Sequence, residues 1–276
     1  MKLTPSEELL YTTTRIESNL IDGTSCTGTG FFFNFLNDGT SSVPAVVTNK
    51  HVVRGAVATR FIVNTMDSDG GVAPERIIID GPGERSWIPH PDPDVDLCIF
   101  PMAAFLSGAQ ERGFDPFFKA FDSSIIPDDP ENLDFSCIGT ITMIGYPNGI
   151  WDEKNNLPIV RRGITATPFK FDYRGRREFV IDAACFPGSS GSPVVIFEEG
   201  LIAGKDGIQM GGSRVMLLGI LYSGPLATTR GSIVFDSQPH VEMETMMNLG
   251  HVIKADRLLE FEPILNGFAG DRPERE

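Results

Sequence analysis

Short alternating runs of apolar and polar residues, rather than a helical repeat, dominate this chain after its first ten residues. The run Thr12 to Glu17 alternates and is rich in β-branched residues, which is typical of a strand. Comparable runs recur at 30–35, 43–48, 60–64, 97–101, 135–144, 159–166, 179–184, 192–197, 215–221 and 251–253. Turn formers such as Asn37-Asp38-Gly39 and Asn148-Gly149 separate them. About a dozen short strands with few helices predict an all-β barrel or sandwich architecture.

Helical patterns occupy only three stretches. The first, Thr4–Leu10, has proline early and acidic residues in its first turn, and the others are 101–113 and 255–265. A connection rich in proline and aspartate, between Asp115 and Asp134, divides the strands into two groups. We therefore expect one domain over residues 1–120, a second over 121–265, and a frayed polar tail over 266–276.

The composition is typical of an ordinary globular protein, and it argues against some classes of binding partner. The chain has 276 residues, of which 41% are hydrophobic, and its net charge of −14 argues against nucleic acid or anionic membranes as partners. The start of the chain lacks the apolar segment of a secretory signal, and no apolar run is long enough to span a bilayer. Four widely spaced cysteines without a CxxC pair predict reduced, buried thiols. These features predict a cytoplasmic location.

A segment rich in glycine and serine, Cys185-Phe186-Pro187-Gly188-Ser189-Ser190-Gly191-Ser192-Pro193, is the main candidate for chemistry. One interpretation is structural: glycines permit a tight connection into the strand that follows. The other is catalytic. Small neighbours let the Ser190 hydroxyl project from a turn and let the backbone N–H groups of Gly188 and Ser190 converge as an oxyanion hole.

A serine hydroxyl needs a base to become a good nucleophile. Among four histidines, His51 directly follows an apolar run and is predicted to point from a strand end into a cleft. His90 and His240 lie in proline-containing segments that are predicted to be loops facing solvent. His251, in a predicted strand, is the rival candidate.

A carboxylate must orient the imidazole and stabilise its protonated form. Asp92, Asp94 and Asp96 compete for this role. Only Asp96 leads directly into an apolar strand, residues 97–100, where its carboxylate would be partly buried and would need a partner. A structural salt bridge to an arginine is the alternative for Asp96.

The order His51, Asp96, Ser190 resembles that of the trypsin-like, chymotrypsin-fold serine proteases. The resemblance covers most of residues 11–260 and is carried by Gly28-Thr29-Gly30-Phe31, Thr48-Asn49-Lys50-His51-Val52, Asp96-Leu97-Cys98-Ile99, Gly188–Pro193 and Gly219-Ile220-Leu221-Tyr222-Ser223-Gly224. It implies two six-stranded antiparallel β-barrels, flanked here by a short N-terminal helix and a C-terminal helix, with the site in the crevice between the barrels.

The resemblance also implies an activity. Ser190 would attack a peptide carbonyl of a polypeptide substrate and form an acyl-enzyme, with His51 as base and Asp96 orienting it; this chemistry requires no metal or organic cofactor. In the family pattern Ala184 is the floor of the pocket for the residue before the scissile bond, and Tyr222, Ser223 and Gly224 form one wall. Without an acidic floor, a small or apolar side chain is favoured. His251 near the opposite wall would instead favour an acidic one.

Several departures from the family pattern bear on regulation. Val52 replaces the cysteine of the digestive branch, Ser189 replaces the aspartate before the nucleophile, and no Ile-Val-Gly-Gly stands near the start. The pattern is closer to bacterial intracellular or HtrA-like members. We expect a protein partner or conformational signal to gate activity, and the glycine-rich loop Glu198–Ser213 is one candidate for the part that moves. A catalytically silent peptide-binding module and an esterase with the same chemistry are the alternatives.

Overall fold

The computed structural model describes residues 3–128, 135–204, 207–224, 226–232 and 240–270, with the side chains of 226–232, 240–246 and 269–270 left undescribed. Its strands are β1 Thr13–Leu20, β2 Ser25–Phe35, β3 Val43–Thr48, β4 Ala56–Met66, β5 Val72–Gly81, β6 Ile88–Pro89, β7 Cys98–Pro101, β8 Pro116–Phe117, β9 Phe121–Asp122, β10 Thr140–Gly145, β11 Ile159–Thr165, β12 Glu178–Asp182, β13 Pro193–Gly204, β14 Gly207–Ser223, β15 Leu226–Ser232, β16 His240–Met246 and β17 Leu249–Lys254. The α-helices are α1 Pro5–Leu9, α2 Lys50–Val53, α3 Ala103–Glu111 and α4 Glu262–Gly270. Short 3₁₀ turns lie at Glu84–Ser86, Ser123–Ile125, Pro147–Gly149, Tyr173–Gly175 and Ala255–Phe261.

The N-terminal half is one nine-stranded sheet. Its strands run in the order β5-β4-β1-β2-β3-β7-β6, with β8 on β4 and β9 on β2. Six of these strands, β1 to β5 and β7, have four or more residues, which is the number expected from the resemblance. The remaining three have two residues each, too short to produce an alternating pattern in the sequence. The sheet extends to Asp122, within the connection predicted to separate the domains.

The C-terminal half is a six-stranded antiparallel ladder. Its strands pair in the order β10-β11-β12-β17-β14-β13, and β13 also pairs with β10. A separate two-stranded hairpin, β15 and β16, lies in the chain between β14 and β17. The mostly antiparallel β architecture in two units that the resemblance implies is therefore confirmed.

One hydrophobic core joins the two halves. It combines fully buried residues of the first sheet, including Phe31, Phe33 and Leu97, with residues of the second that include Ile144 and Val195. Burying a large apolar side chain stabilises a fold by about 1.5–3 kcal/mol. This shared core holds the sheets against each other, so the chain segments at its rim are brought together.

The N-terminal helix forms as predicted, and its cap explains where it begins. Thr4 Oγ1 accepts a hydrogen bond from the Glu7 N–H at 3.3 Å, and Glu7 Oε2 accepts one from the Thr4 N–H at 2.7 Å. This reciprocal capping box satisfies two amides that a helix start leaves unpaired.

The two other predicted helices are also present, with different limits. Helix α3 lies within the stretch 101–113. The C-terminal stretch begins as the 3₁₀ segment Ala255–Phe261 and continues as α4 to Gly270, inside the predicted polar tail; residues 271–276 lie outside the described part. No helix in the described ranges is both long enough and apolar enough to cross a membrane.

The segment Glu198–Ser213, predicted as a loop and a candidate moving part, is a β-ribbon over its described residues, 198–204 and 207–213, made by the ends of β13 and β14. Glu198 pairs with Arg214 and Leu201 with Met210 across the ladder. Its glycines prompted the loop prediction, but they are accommodated at positive φ within the ribbon, as at Gly200 and Gly211.

All four cysteines are free thiols, as expected. Cys98 and Cys185 are buried and Cys26 is half-buried, but Cys137 is exposed, which corrects the prediction that each is buried. Cys137 lies just before β10, where the chain is still on the surface.

Candidate active site

His51 and Asp96 are brought together by the pairing of β3 with β7. These strands are antiparallel, and Thr48 lies opposite Cys98. The three residues after Thr48 therefore face the residues just before Cys98. His51 lies in the one-turn helix α2 rather than at a strand end, which corrects the local prediction.

Two hydrogen bonds connect this pair. His51 Nδ1 bonds to Asp96 Oδ2, and the backbone N–H of His51 donates to Asp96 Oδ1 at 3.1 Å. Asn49 Nδ2 donates to the Asp96 carbonyl at 2.8 Å, which fixes the backbone of the aspartate. The bond at Nδ1 leaves Nε2 as the free ring nitrogen. The alternative role for Asp96, a salt bridge to an arginine, is absent among the ion pairs of the described residues.

Ser190 lies on a tight loop just before β13. Its backbone carbonyl accepts a hydrogen bond from the Thr29 N–H at 2.8 Å, and its hydroxyl donates to the Tyr222 carbonyl at 3.4 Å. Thr48, three residues before His51, donates its hydroxyl to the Thr29 carbonyl at 2.7 Å. Thr29 thus links the loop that carries Ser190 to the segment that carries His51. This loop, residues 186–192, holds the candidate nucleophile and is called the nucleophile loop.

No hydrogen bond joins His51 to Ser190 among those of the described residues. In enzymes without bound substrate, catalytic hydrogen bonds are often long and tighten only in the complex.

Positive φ at two glycines shapes the nucleophile loop. Gly188 has φ +84°, and an added Cβ would lie 2.6 Å from the Tyr146 carbonyl oxygen. Gly191 has φ +87°, and a Cβ there would lie 2.6 Å from Thr48 Oγ1. A larger residue at either position would meet both an unfavourable backbone conformation and a clash. The loop is therefore restricted to a conformation that glycine alone adopts readily.

The two proposed oxyanion donors are unpaired. Across the described part of the chain, neither the Gly188 N–H nor the Ser190 N–H donates to a protein acceptor. The Pro187 carbonyl accepts from the Asn148 N–H at 2.6 Å. In a planar trans peptide the N–H of the next residue points away from the carbonyl, so the Gly188 N–H is directed away from Asn148.

A cavity of about 170 Å³ adjoins Ser190. Its lining residues are Cys185, Phe186, Pro187, Ser190, Leu221, Ser223 and Gly224. Ser223 and Gly224, which the resemblance assigns to one wall of the specificity pocket, both line this cavity. Ala184 does not line this cavity, and its carbonyl instead accepts a hydrogen bond from Arg161.

Cys185 is the residue that takes the place expected for Ala184. An added Cβ at Gly250 would lie 2.7 Å from Cys185 Sγ and 2.6 Å from Leu221 Cδ1, so these three residues share one wall. Burial raises the pKa of the Cys185 thiol to about 11, which keeps it neutral. None of the described residues that line the cavity carries a charge.

Tyr222 and His251 lie on the other side of this wall. The Tyr222 hydroxyl donates to Glu178 Oε2 at 2.9 Å, and burial together with this carboxylate raises the pKa of the hydroxyl to about 12. Tyr222 therefore contributes its carbonyl, not its ring, near Ser190. His251 follows Gly250 in β17 and so points to the opposite face, where its ring lies beside Tyr173 and Tyr222. Burial lowers the pKa of His251, and this residue does not line the cavity.

A larger cavity, of about 710 Å³, is lined by Val95, the residue before Asp96, and by residues 92 and 94. Arginines and carboxylates line it and pair with each other: Arg176 with Glu178 at 2.8 Å and Arg257 with Asp92 at 2.7 Å. It contains no nucleophile, so the cavity beside Ser190 is the candidate site. Within the described ranges, no three His, Cys, Asp or Glu side chains are placed to bind a metal ion together.

His90 is buried, contrary to the prediction of a loop facing solvent. The Asp92 N–H donates to His90 Nδ1 at 3.0 Å, and His90 Nε2 bonds to the Arg257 carbonyl at 3.0 Å. Both contacts are satisfied by the neutral ring with its proton on Nε2. Glu260 lies 3.4 Å from Nε2. His90 thus ties the turn before Asp96 to the C-terminal 3₁₀ segment. The side chain of His240 lies outside the described residues.

This burial predicts acid sensitivity. Desolvation lowers the pKa of His90 below its usual range despite the nearby Glu260. Between that lowered value and about 6.5 the unfolded chain binds more protons than the folded one, so stability falls as pH falls through this interval. We expect the melting temperature to drop on acidification from about pH 7.5 to about pH 5, and to drop less in His90→Gln. An identical pH slope in the two proteins would contradict this expectation.

The sequence comparisons identify one family. Residues 28–204, more than half of the chain, match the family model of the trypsin-like peptidase domain. None of the curated proteins compared with the chain matches it.

Among solved structures, the chain is similar to the HtrA-type protease AlgW with a tripeptide, at 16% identity and a TM-score of 0.47 over 94% of this chain and 62% of that one. It is also similar to the serine endoprotease from Yersinia pestis, at 15% identity and a TM-score of 0.45 over 98% and 68% of the two chains. A third similar structure is the tobacco etch virus protease complexed with product, at 12% identity and a TM-score of 0.48 over 98% and 83%. The chain thus spans 62% of the length of AlgW.

Proposed function

We propose that this chain, which belongs to the trypsin-like peptidase domain family, is a serine peptidase that cleaves polypeptides with Ser190 as nucleophile, His51 as general base and Asp96 as its orienting carboxylate. The observation that carries this proposal is the pair of hydrogen bonds from His51 to Asp96. The bond at Nδ1 holds the ring proton there, so Nε2 has a free lone pair for the proton of a serine. The bond from the backbone N–H fixes the carboxylate beside the ring.

The reaction proceeds through an acyl-enzyme. His51 Nε2 takes the proton of Ser190 Oγ as the oxygen attacks the peptide carbonyl, and the N–H groups of Gly188 and Ser190 bind the developing oxyanion. Protonated His51 then gives its proton to the leaving amine. Water, deprotonated by His51, hydrolyses the ester and restores the serine. Asp96 stays ionised and stabilises the imidazolium.

The substrate backbone is expected to lie along residues 222–224. Ser223 and Gly224 line the cavity beside Ser190, and the Tyr222 carbonyl lies 3.4 Å from the nucleophile. An extended peptide is able to add its backbone hydrogen bonds to such a strand edge. Polypeptides in an extended conformation are therefore the proposed substrate class.

Steady-state turnover of a quenched-fluorescent peptide library tests this function against its alternatives. A peptidase releases fluorescence catalytically, whereas a silent peptide-binding module binds the same peptides without cleaving them. An esterase would hydrolyse activated esters and leave every peptide intact. The free N–H groups of Gly188 and Ser190 favour the peptidase, since a module that only binds peptides has no need of oxyanion donors.

We predict that cleavage occurs after small or apolar residues. The cavity of about 170 Å³ has Cys185 and Leu221 in its wall, and none of its described lining residues is a carboxylate that would attract a basic side chain. His251 points away from it, so an acidic side chain has no partner there either. Sequencing the library products should give alanine, valine or residues of similar size before the cut. Dominant cleavage after Lys, Arg or Glu would contradict this specificity.

We also propose that a protein partner or a conformational signal restrains the peptidase activity. Ser189 occupies the position where the family's digestive branch has the aspartate that accepts a new N-terminus. Its hydroxyl is buried and, within the described ranges, has no hydrogen-bond partner. Activity of the purified chain that equals its activity in lysate would remove the need for such a gate.

A further inference from the structure

Thr29 lies in the middle of Gly28-Thr29-Gly30 in β2, and all of its polar atoms bond to segments around the site. Its N–H donates to the Ser190 carbonyl at 2.8 Å, and its carbonyl accepts from the Thr48 hydroxyl at 2.7 Å. Its own hydroxyl donates to the Gly188 carbonyl at 2.9 Å and accepts from the Tyr146 N–H at 3.1 Å. The side chain is fully buried. Water is therefore not available to replace these bonds.

The hydroxyl joins two segments that together orient the Gly188 N–H. One is the nucleophile loop, through the Gly188 carbonyl. The other is the turn Pro147–Gly149, through the Tyr146 N–H that precedes it. That turn supplies the Asn148 N–H that holds the Pro187 carbonyl at 2.6 Å, and hence the peptide unit to which the Gly188 N–H belongs.

Gly188 needs such a restraint because it is a glycine. Without a Cβ, its φ and ψ have several accessible wells, and rotation of the neighbouring peptide would turn the N–H out of the oxyanion position. Fixing the carbonyls on both sides of Gly188 leaves one orientation. An oxyanion donor stabilises a transition state only when it is already in place.

We propose that Thr29 is a positioning residue of the oxyanion hole: its hydroxyl locks the nucleophile loop onto the 146–149 turn and so holds the Gly188 N–H ready for the developing negative charge. This inference rests on the proposed role of Gly188. It assigns to Thr29 an effect on the rate of the chemical step that is separate from any effect on stability.

Thr165 provides a matched control in the C-terminal half. It is also buried, its hydroxyl accepts from the Gly139 N–H at 2.9 Å, and it donates to the Cys137 carbonyl at 2.8 Å. Its hydroxyl thus bridges a backbone N–H and a backbone carbonyl as that of Thr29 does. None of its partners belongs to the nucleophile loop, so Thr165→Val removes the same kind of bridge without touching the site.

The experiment compares Thr29→Val, Thr29→Ser and Thr165→Val with wild type on one peptide anilide chosen from the library. We expect kcat to fall about 10- to 100-fold in Thr29→Val, somewhat less than the loss on removing an oxyanion donor outright, with little change in KM. Thr29→Ser, which keeps the hydroxyl, should recover most of the loss. Thr165→Val should keep the wild-type kcat even where its melting temperature is lower.

A peptide aldehyde and the matching peptide alcohol report on the hole directly. Ser190 Oγ adds to the aldehyde carbon, its proton passes to His51, and the aldehyde oxygen becomes the anion held by the N–H groups. Thr29→Val should bind the aldehyde more weakly by the factor lost in kcat and bind the alcohol as wild type does. If Thr29→Val does not fold, Thr29→Ala replaces it in the same comparison.

Three results would overturn the inference: a Thr29→Val kcat equal to that of Thr165→Val, a loss that Thr29→Ser does not restore, or equal weakening of aldehyde and alcohol. Each of these leaves the proposed function intact if Ser190→Ala is inactive. Turnover that survives Ser190→Ala would instead refute the proposed function itself.

Discussion

Ser190→Ala should lower kcat for peptide hydrolysis by about 10⁶-fold, the scale of loss expected when the nucleophile of a triad is removed. Without Oγ no acyl-enzyme forms, and the residual rate comes from binding and the oxyanion hole alone. The fold should be unaffected, because among the described residues the hydroxyl makes a single hydrogen bond, to the Tyr222 carbonyl at 3.4 Å. Measured kcat together with thermal unfolding separates the two effects.

Ser189→Ala is the control for this change. Ser189 is the neighbouring residue, and its buried hydroxyl has no hydrogen-bond partner in the described part of the chain. Removing it should leave kcat within a few-fold of wild type, as expected for a group that takes no part in the reaction. Wild-type turnover by Ser190→Ala, or a comparable loss in Ser189→Ala, would show that the nucleophile is assigned to the wrong residue.

Asp96→Asn should lower kcat by about 10⁴-fold. The asparagine oxygen is able to keep the bond from the His51 N–H, which leaves its NH₂ group facing Nδ1. Nδ1 must then accept rather than donate, so the proton of the neutral ring moves to Nε2. A ring protonated there cannot take the proton of Ser190, although every heavy atom stays in place.

Asp94→Asn removes the same charge two residues away and serves as the control. Its side chain is exposed, so its field at His51 is screened by solvent. We expect kcat near wild type in this variant, measured over the same pH range. Equal losses of activity in Asp94→Asn and Asp96→Asn would show that the loss comes from removing a negative charge near the site and not from a change in the tautomer of His51.

The members of the proposed triad stand out in the sequence because each lies next to an apolar strand. Strand β3 precedes His51, β7 follows Asp96 and β13 follows Ser190, so the pattern that predicts the strands also places the three residues close to strand ends, although His51 itself lies in helix α2. The pattern does not predict which strands pair with each other. The contact of His51 with Asp96 depends on the pairing of β3 with β7, a contact between distant parts of the chain.

The wall of the cavity beside Ser190 shows a second limit of prediction from the sequence. Ala184 and Cys185 are neighbours, and only one of them faces the cavity. Which one does so depends on the backbone geometry of the turn, and a shift of one residue exchanges the two faces. The resemblance to the family pattern placed Ala184 there.

His90 and Thr29 were misjudged or overlooked because distant segments determine their environments. Prolines on both sides of His90 are typical of an exposed loop, but the 3₁₀ segment Ala255–Phe261 covers it. Thr29 carries no local signal for a role, since its hydroxyl bonds to Tyr146 and Gly188, both more than a hundred residues away in the chain.

Labelling with a fluorophosphonate, followed by peptide mapping in a mass spectrometer, tests the central claim most directly. Such a reagent is attacked only by a serine whose proton a neighbouring base can take. One equivalent should attach to Ser190, and His51→Ala should abolish the labelling without unfolding the protein. Absence of an adduct from the folded wild-type protein, or an adduct on any other residue, would contradict the assignment of Ser190 and His51 as nucleophile and base.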